Sequence, residues 1–396
     1  MKRLPMILLI MAVLLVSAAI TLYYLAPHPP GVPDQVNNVH ELDAFLGRLA
    51  ASGNPPGLSA AVVKDGQLVY NRAFGYANGP KSIQAVPETV YHWWSMTKIP
   101  TVVAILQLRE QGKLNLDDPV KTHLPWFNVI YPSDSSPVVT ILHLLQHSSG
   151  LPDTMPSMIG WVHDDDATRD QTRLVKTYLP EYNKLKFTPG TNNLYSNFNY
   201  MVLGAIIESA SGQPYEEYII MHILKPLRMS QTGFVYTTSM ARHEAAGTLP
   251  VIHYYTPLLP LFIGTKKISY ERQGKLLWMH RVYIDATPST GLLGPASDVA
   301  RFMLMVLNGG SLDNTVILSR ESVSLLTKTQ PVRGQGLGWF VGESGSSRFL
   351  EHAGGGPGFA TIFRIYPDDN IGIVVLANGT DLDRKGIVDL LAKINW

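Results

Sequence analysis

The hydrophobic positions of the chain fall into three regimes. LSAAVVKDGQLVYNRAFGYAN, from Leu58, holds two β-rich runs on either side of Lys64-Asp65-Gly66, a turn signal, and predicts a hairpin. From Ser95 to about Lys225 the spacing is helical: VVTILHLLQHSSGLP offers Thr140 as N-cap and Gly150 as a stop, and NYMVLGAIIESASG reads as an apolar helix. Strand-type runs return in GLGWFVGE, FLEHAGG, FATIFRIYP and IGIVVLANG, each bounded by Gly, Pro or Asp, and a helix from about Lys385 to Ile394 closes the chain. Strands at both ends and helices between them predict an α/β fold of the α+β type. One antiparallel β-sheet is flanked by helices, with an inserted, mostly helical subdomain at about 106–285. The crevice between sheet and insertion is a natural ligand site.

The first segment follows a different pattern. MKRLPMILLIMAVLLVSAAITLYYLAPHPPGVP has two positive charges and then an uncharged apolar run from Leu4 to about Ala26, long enough to cross a bilayer as a helix. Lys2 and Arg3 suit the cytoplasmic side, and Tyr23 and Tyr24 the far interface. Ser17-Ala18-Ala19 supports the alternative, a cleaved signal peptide. Either way the remainder is expected outside the cytoplasm, in the periplasm or extracellular space, tethered to the membrane or, after cleavage, secreted. Pro27, Pro29, Pro30 and Pro33 form a stiff linker, so residues 1–33 read as anchor or signal plus linker, and residues 34–396 as the domain.

Composition narrows the function classes. Of 396 residues, 45% are hydrophobic and 16% charged, ample for a large core. A net charge of +1 gives no field to attract nucleic acid, and no nucleic-acid module is present. The absence of cysteine excludes disulfides, thiolate metal sites and a cysteine nucleophile.

Three stretches carry candidate chemistry. In YHWWSMTKIPTVVAILQLREQGKL, Ser95 and Lys98 sit three apart at the start of an apolar helix, so hydroxyl and amine can meet on one face. A lysine there is costly unless it is used, and a desolvated amine can act as the base a serine nucleophile needs. The helix N-terminus favours a developing oxyanion beside Ser95. By itself a Ser-x-x-Lys is weak, since an N-cap serine with a snorkelling lysine has the same spacing. In FTPGTNNLYSNFNYMVLGAIIE, the Tyr195 phenol can shuttle a proton and the Asn197 amide can donate to a substrate carbonyl or touch the lysine. A core aromatic and a helix cap are the plainer roles. In FLEHAGGGPGFATIFRIYP, His352-Ala353-Gly354 at a strand end is followed by Gly355 and Gly356, where a backbone N–H can serve an oxyanion; a plain Gly-rich turn is the alternative.

Ser95-Met96-Thr97-Lys98, Tyr195-Ser196-Asn197 and His352-Ala353-Gly354, in this order, resemble the three motifs of the serine β-lactamase and penicillin-binding-protein superfamily. The likeness is strongest to the class C β-lactamase-related group, with its esterases, D-aminopeptidases and DD-peptidases. LLQHSSGLP, LKPLRMSQTGF and STGLLGPASDVARF support it, so that it runs from about Leu58 to Asn378. The resemblance implies Ser95 as the acylated nucleophile, Lys98 and Tyr195 sharing the general-base work, and Asn197 orienting the substrate. His352 stands where many relatives have lysine, and Gly354 completes the third motif. The oxyanion hole would be the N–H groups of Ser95 and Gly355. It implies small-molecule, peptide or ester substrates and neither metal nor cofactor.

The third motif departs from the pattern. Ala353 lacks the hydroxyl usual in β-lactamases and DD-peptidases, and His352 is expected to be only partly charged at neutral pH. Both changes weaken the hold on a substrate carboxylate and favour esters or amides without one. The rivals are a penicillin-binding DD-peptidase or β-lactamase, and a membrane-tethered sensor that acylates without turning over. No Gly-x-Ser-x-Gly elbow or His-Glu-x-x-His zinc motif occurs, and His147, at a helix end, is expected to be structural. The apolar stretch at about 249–264, followed by Lys266, Lys267, Arg272 and Lys275, is too short and proline-rich to span a bilayer. It either packs over the helical subdomain or walls the site and dips into the membrane face, selecting acyl substrates. Removal of 250–264 is expected to change acyl-chain preference and vesicle binding; unchanged values in both assays would leave only the packing role.

Overall fold

Asp65 and Gly66 take left-handed backbone angles (φ 48° and 80°), and these turn the predicted hairpin between β1 (Gly57–Lys64) and β2 (Gln67–Asn78). In this computed structural model, which describes residues 17, 29–153, 162–163, 170–251, 270–328 and 332–396, the hairpin joins the late strands in one sheet. The others are β3 (Ile83–Gln84), β4 (Phe340–Ser344), β5 (Ser347–Gly356), β6 (Phe359–Tyr366) and β7 (Ile371–Ala377). The order is β4-β5-β6-β7-β1-β2-β3, antiparallel throughout, with Leu58 opposite Ala377 where the two ends of the chain meet.

Both faces of the sheet are covered, which is why its central strands read as unbroken apolar runs. Leu58, Ala60, Val62, Ile362, Ile373 and Val375 point to one cluster, shared with α1 (Val39–Ala51) and the C-terminal helix α5 (Arg384–Ala392). The alternate residues Ala61, Val63, Phe363, Ile365, Val374 and Leu376 point to a larger cluster on the other face. That cluster continues through α4 (Ala296–Leu307) into the helical middle of the chain. The period-2 alternation therefore divides two cores, not core from solvent.

Two helices form the heart of the middle region. In α2 (Lys98–Glu110) every residue from Lys98 to Leu108 is buried, and in α3 (Asn197–Ser211) every residue from Asn197 to Ile207. A helix apolar all round belongs inside a protein. The two pack against each other, and Gly212, with φ 74°, ends α3.

Three expectations change. Thr140 does cap a helix, with His143 completing a capping box, but that helix spans only Ile141–Leu145, because His147 (φ 54°) has already turned the chain before Gly150. The final helix lies at Arg384–Ala392, slightly earlier than expected. The middle region is less uniformly helical than its sequence suggests: Thr248–Pro250, Leu276–Met279 and Tyr270–Gln273 form a small three-stranded sheet. The apolar run 4–26, apart from residue 17, and most of the stretch 249–264, from 252 onward, lie outside the described residues. Among the described residues no helix is long and apolar enough to cross a membrane.

The α5 face also carries a buried charge cluster. Arg364, 2% exposed, donates to Glu351 at 2.6 and 2.9 Å, to the Tyr366 hydroxyl at 3.0 Å, and to Asp389. Lys385 reaches the other Glu351 oxygen at 2.9 Å. Removing one partner of such a group leaves an uncompensated buried charge. Arg364→Met is expected to destabilise the fold by about 3 kcal/mol, read from the urea midpoint. A loss below about 1 kcal/mol would mean that Lys385 alone satisfies Glu351.

Candidate active site

Ser95 does not sit on the α-helix itself. It lies in a 3₁₀ turn, Trp94–Thr97, that runs directly into α2. Side chains three apart eclipse in such a turn, so Lys98 lies over Ser95, with Nζ 3.2 Å from Oγ. Trp94, just before the serine, holds φ at 49°, a conformation that costs a non-glycine residue about 1–3 kcal/mol. The turn is pinned on all sides. Trp93 donates its backbone N–H to Leu292 O (2.9 Å) and its indole N–H to Gly294 O (3.1 Å), Thr97 Oγ1 accepts from Leu292 N (3.1 Å), and Thr361 Oγ1 donates to Trp93 O (3.0 Å).

The N-termini of α2 and α3 converge here, bringing Lys98 and Asn197 together. Lys98 is fully buried, and Nζ lies 2.8 Å from Asn197 Oδ1 and 3.0 Å from Ser289 O. Burial lowers its pKa from 10.5 to about 7, partly opposed by the negative charge of Asp153. A neutral amine has two N–H bonds and one lone pair. Two of its neighbours, the Asn197 amide oxygen and the Ser289 carbonyl, can only accept. They take both N–H bonds and leave the lone pair to the third neighbour, the Ser95 hydroxyl.

Asp153 is a residue that sequence reasoning missed. Its Oδ1 accepts from Asn197 N (3.0 Å) and Nδ2 (3.3 Å), so it caps α3 and fixes the amide with its oxygen toward Lys98. The signal was available: Asp153 directly follows LLQHSSGLP. Ser289, in the STGLLG stretch, was also missed because its role is played by a backbone carbonyl.

Tyr195 is half-buried and its hydroxyl hydrogen-bonds to Ser95. Burial holds its pKa well above the ordinary phenol value, so it rests as a neutral phenol. Lys98 Nζ lies 4.9 Å from the centre of its ring. His147 and Phe340 flank the phenol at ring-centroid distances of 4.5 and 6.0 Å. His147, expected to be structural, is buried and accepts at Nδ1 from Ser196 N (3.2 Å) and Asn199 Nδ2 (3.1 Å).

His352 requires a correction. It is 1% exposed, and burial together with the nearby Lys98 lowers its pKa to about 3, so at neutral pH it is uncharged, not partly charged. Its Nδ1 donates to Ala353 O at 2.8 Å, which leaves Nε2 as a buried acceptor. Nor does the motif end a strand, since β5 continues to Gly356.

Two tight hairpins fix which way the backbone of β5 faces. Gly345-Ser346 joins β4 to β5, and Pro357-Gly358 joins β5 to β6. The closing pair of a two-residue hairpin exchanges hydrogen bonds, and pairs alternate from there. Odd residues of β5 therefore direct N–H toward β4, and even ones toward β6. Pairing with β4 stops at Phe340 opposite Glu351, so the N–H of Gly355 points out beyond the end of β4. Gly354 and Gly356 face the Ser95 turn. A Cβ at Gly354 would lie 2.0 Å from Trp93 O, and one at Gly356 would lie 2.4 Å from the Trp94 ring. Only glycine lets the strand lie this close to Ser95.

A Ser–Lys pair with its lysine buried at the start of an internal helix, beside an antiparallel strand that runs past the end of its edge neighbour, fits the serine β-lactamase and penicillin-binding-protein superfamily. The chain belongs to the Beta-lactamase family, which matches residues 42–394. It is 29% identical over 341 residues to Protein flp of Staphylococcus aureus (strain MW2), covering 85% of this chain and 62% of that protein. It thus spans less than two thirds of that curated relative. A penicillin-binding protein homologue from Pyrococcus abyssi, described as octameric, superposes with a TM-score of 0.69 at 26% identity, over 90% of this chain and 78% of that one. The D-amino acid amidase of Ochrobactrum anthropi SV3 superposes with a TM-score of 0.72 over 89% and 97%, and at 20% identity shares the fold.

If Lys98 is the base, the acylation rate rises with pH as the amine loses its proton, with a midpoint near 7. Asp153→Asn removes the charge that opposes the lowering, so the midpoint should move to lower pH. A stopped-flow pH profile of acylation checks this, and a midpoint that stayed in place or rose would rule out the assigned coupling.

Proposed function

We propose that this protein is an exported serine hydrolase that works through an acyl-enzyme on Ser95 and acts on esters or amides without a carboxylate beside the scissile bond. The observation that carries the reading is the Lys98 amine, buried, 3.2 Å from Ser95 Oγ, and held by two acceptors that leave its lone pair free.

Catalysis then runs as follows. Lys98 takes the proton as Ser95 Oγ attacks the carbonyl carbon, and the oxyanion forms against the N–H groups of Ser95 and Gly355. Tyr195, a neutral phenol bonded to Ser95, relays the proton to the leaving group. The base role thus falls to Lys98 and the relay to Tyr195. Water attacks the acyl-enzyme by the reverse path. Asn197 has its oxygen committed to Lys98 and its nitrogen near Asp153, so it chiefly orients the amine.

The substrate preference rests on the third motif. His352 is neutral and buried, and Ala353 has no hydroxyl. Neither suits a carboxylate. The name of a structural neighbour, a D-amino acid amidase, is compatible with an amide substrate. Export rests on the sequence of residues 4–26, and we place the catalytic domain outside the cytoplasm at the membrane surface.

Intact mass over time separates this reading from its rivals. The full chain and Ser95→Ala are incubated with benzylpenicillin and with a short-chain aryl ester. Rapid ester release without a lasting penicillin adduct, abolished in Ser95→Ala, is the expected result. A persistent adduct on Ser95 with little ester turnover would instead identify a penicillin-binding peptidase or sensor.

A further inference from the structure

Arg384, the first residue of α5, hydrogen-bonds through Nη1 to the carbonyl of Gly354 and, at 3.3 Å, to that of Thr361. It lies on the face of β5 opposite the nucleophile turn. A Cβ at Gly355 would sit 3.2 Å from Nη1, whereas one at Gly354 would meet Trp93 O. The guanidinium is half-buried, and these hydrogen bonds go to backbone carbonyls. Other contacts also dock α5 on the sheet. Lys385 bonds Glu351 (2.9 Å), Asp389 bonds Arg364, and Ile387, Val388, Leu390 and Leu391 are buried in the core.

The carbonyl it holds belongs to the peptide unit whose N–H is that of Gly355. A trans peptide is planar, with C=O and N–H pointing in opposite directions. Gly354 C=O therefore points toward β6 and Arg384, while Gly355 N–H points out beyond β4, toward the crevice. A cation on the oxygen draws electron density through the amide and makes the N–H a stronger donor, as in any polarised hydrogen-bond chain. It also fixes the tilt of that N–H.

We infer that Arg384 is a positioning residue that polarises the Gly354–Gly355 peptide and so strengthens the oxyanion hole from the far side of the sheet. The inference rests on the proposed roles of Ser95 and Gly355. Its effect appears where charge develops on the substrate oxygen and not in ground-state binding.

The test uses the full chain with Arg384→Met, Arg384→Gln and Arg384→Lys, with Ser95→Ala as reference. Acylation by 4-nitrophenyl butyrate and affinity for phenylboronic acid, whose adduct places an oxygen in the hole, are measured beside the thermal midpoint. Arg384→Met should acylate about tenfold more slowly, less than the loss of a whole oxyanion donor. Boronate affinity should fall by a similar factor with KM little changed, and Arg384→Lys should recover most of both. Arg384→Gln, a neutral donor, should fall between Met and Lys and serves if the methionine variant does not fold. The inference is overturned if acylation and boronate affinity stay at wild-type level. It is overturned equally if the losses track a lower thermal midpoint that lysine does not restore. A loss confined to 4-nitrophenyl hemisuccinate, which carries a carboxylate, would show direct ligand contact instead. Ester turnover that survives in Ser95→Ala overturns the site reading itself, and this inference with it.

Discussion

A lysine amine enclosed by protein on all sides is the constraint on which the rest of the site depends. Burial disfavours its charge, and the fold supplies partners for a neutral amine: two carbonyl-type oxygens and a hydroxyl. Everything near Lys98 is consistent with that state. His147 and His352 are buried and uncharged, and Tyr195 stays a phenol. Asp153 supplies the one opposing influence, keeping the lowering within reach of neutral pH. The arrangement needs two internal helices whose N-termini meet, which explains why α2 and α3 are apolar on every side.

The second constraint is distance between backbones. The Ser95 turn and β5 come so close that side chains at positions 354 and 356 would overlap Trp93 and Trp94. The strained φ of Trp94 and the hydrogen bonds from 292–294 hold the turn against the strand. Sheet, turn and helix thereby fix the serine from three directions.

Much of this was legible in the chain. Turn residues and the β-rich runs between them marked the hairpin and the four late strands, and motif order brought Ser95, Lys98, Tyr195, Asn197 and His352 to one place. What escaped was whatever depends on contacts distant in sequence. The protonation state of His352 is set by burial and by Lys98, neither visible from its neighbours in the chain. Ser289 acts through a carbonyl, which every residue has. Asp153, beside a motif that was read, and Arg384 bond to groups of segments distant in sequence, so their partners could not be read from the chain. The short helix at 141–145 was read too long because the positive φ of His147 has no signature of the kind a glycine gives.

The central claim is that Lys98 loses its proton near neutral pH inside the folded protein. Nuclear magnetic resonance of the full chain carrying ¹³Cε-lysine, with Lys98→Met to assign the signal, measures this directly. The account predicts one lysine Cε resonance titrating with a midpoint near 7, absent in the variant. A Lys98 resonance that remained that of an ammonium well above pH 9, beyond any titration expected from a midpoint of about 7, would contradict it.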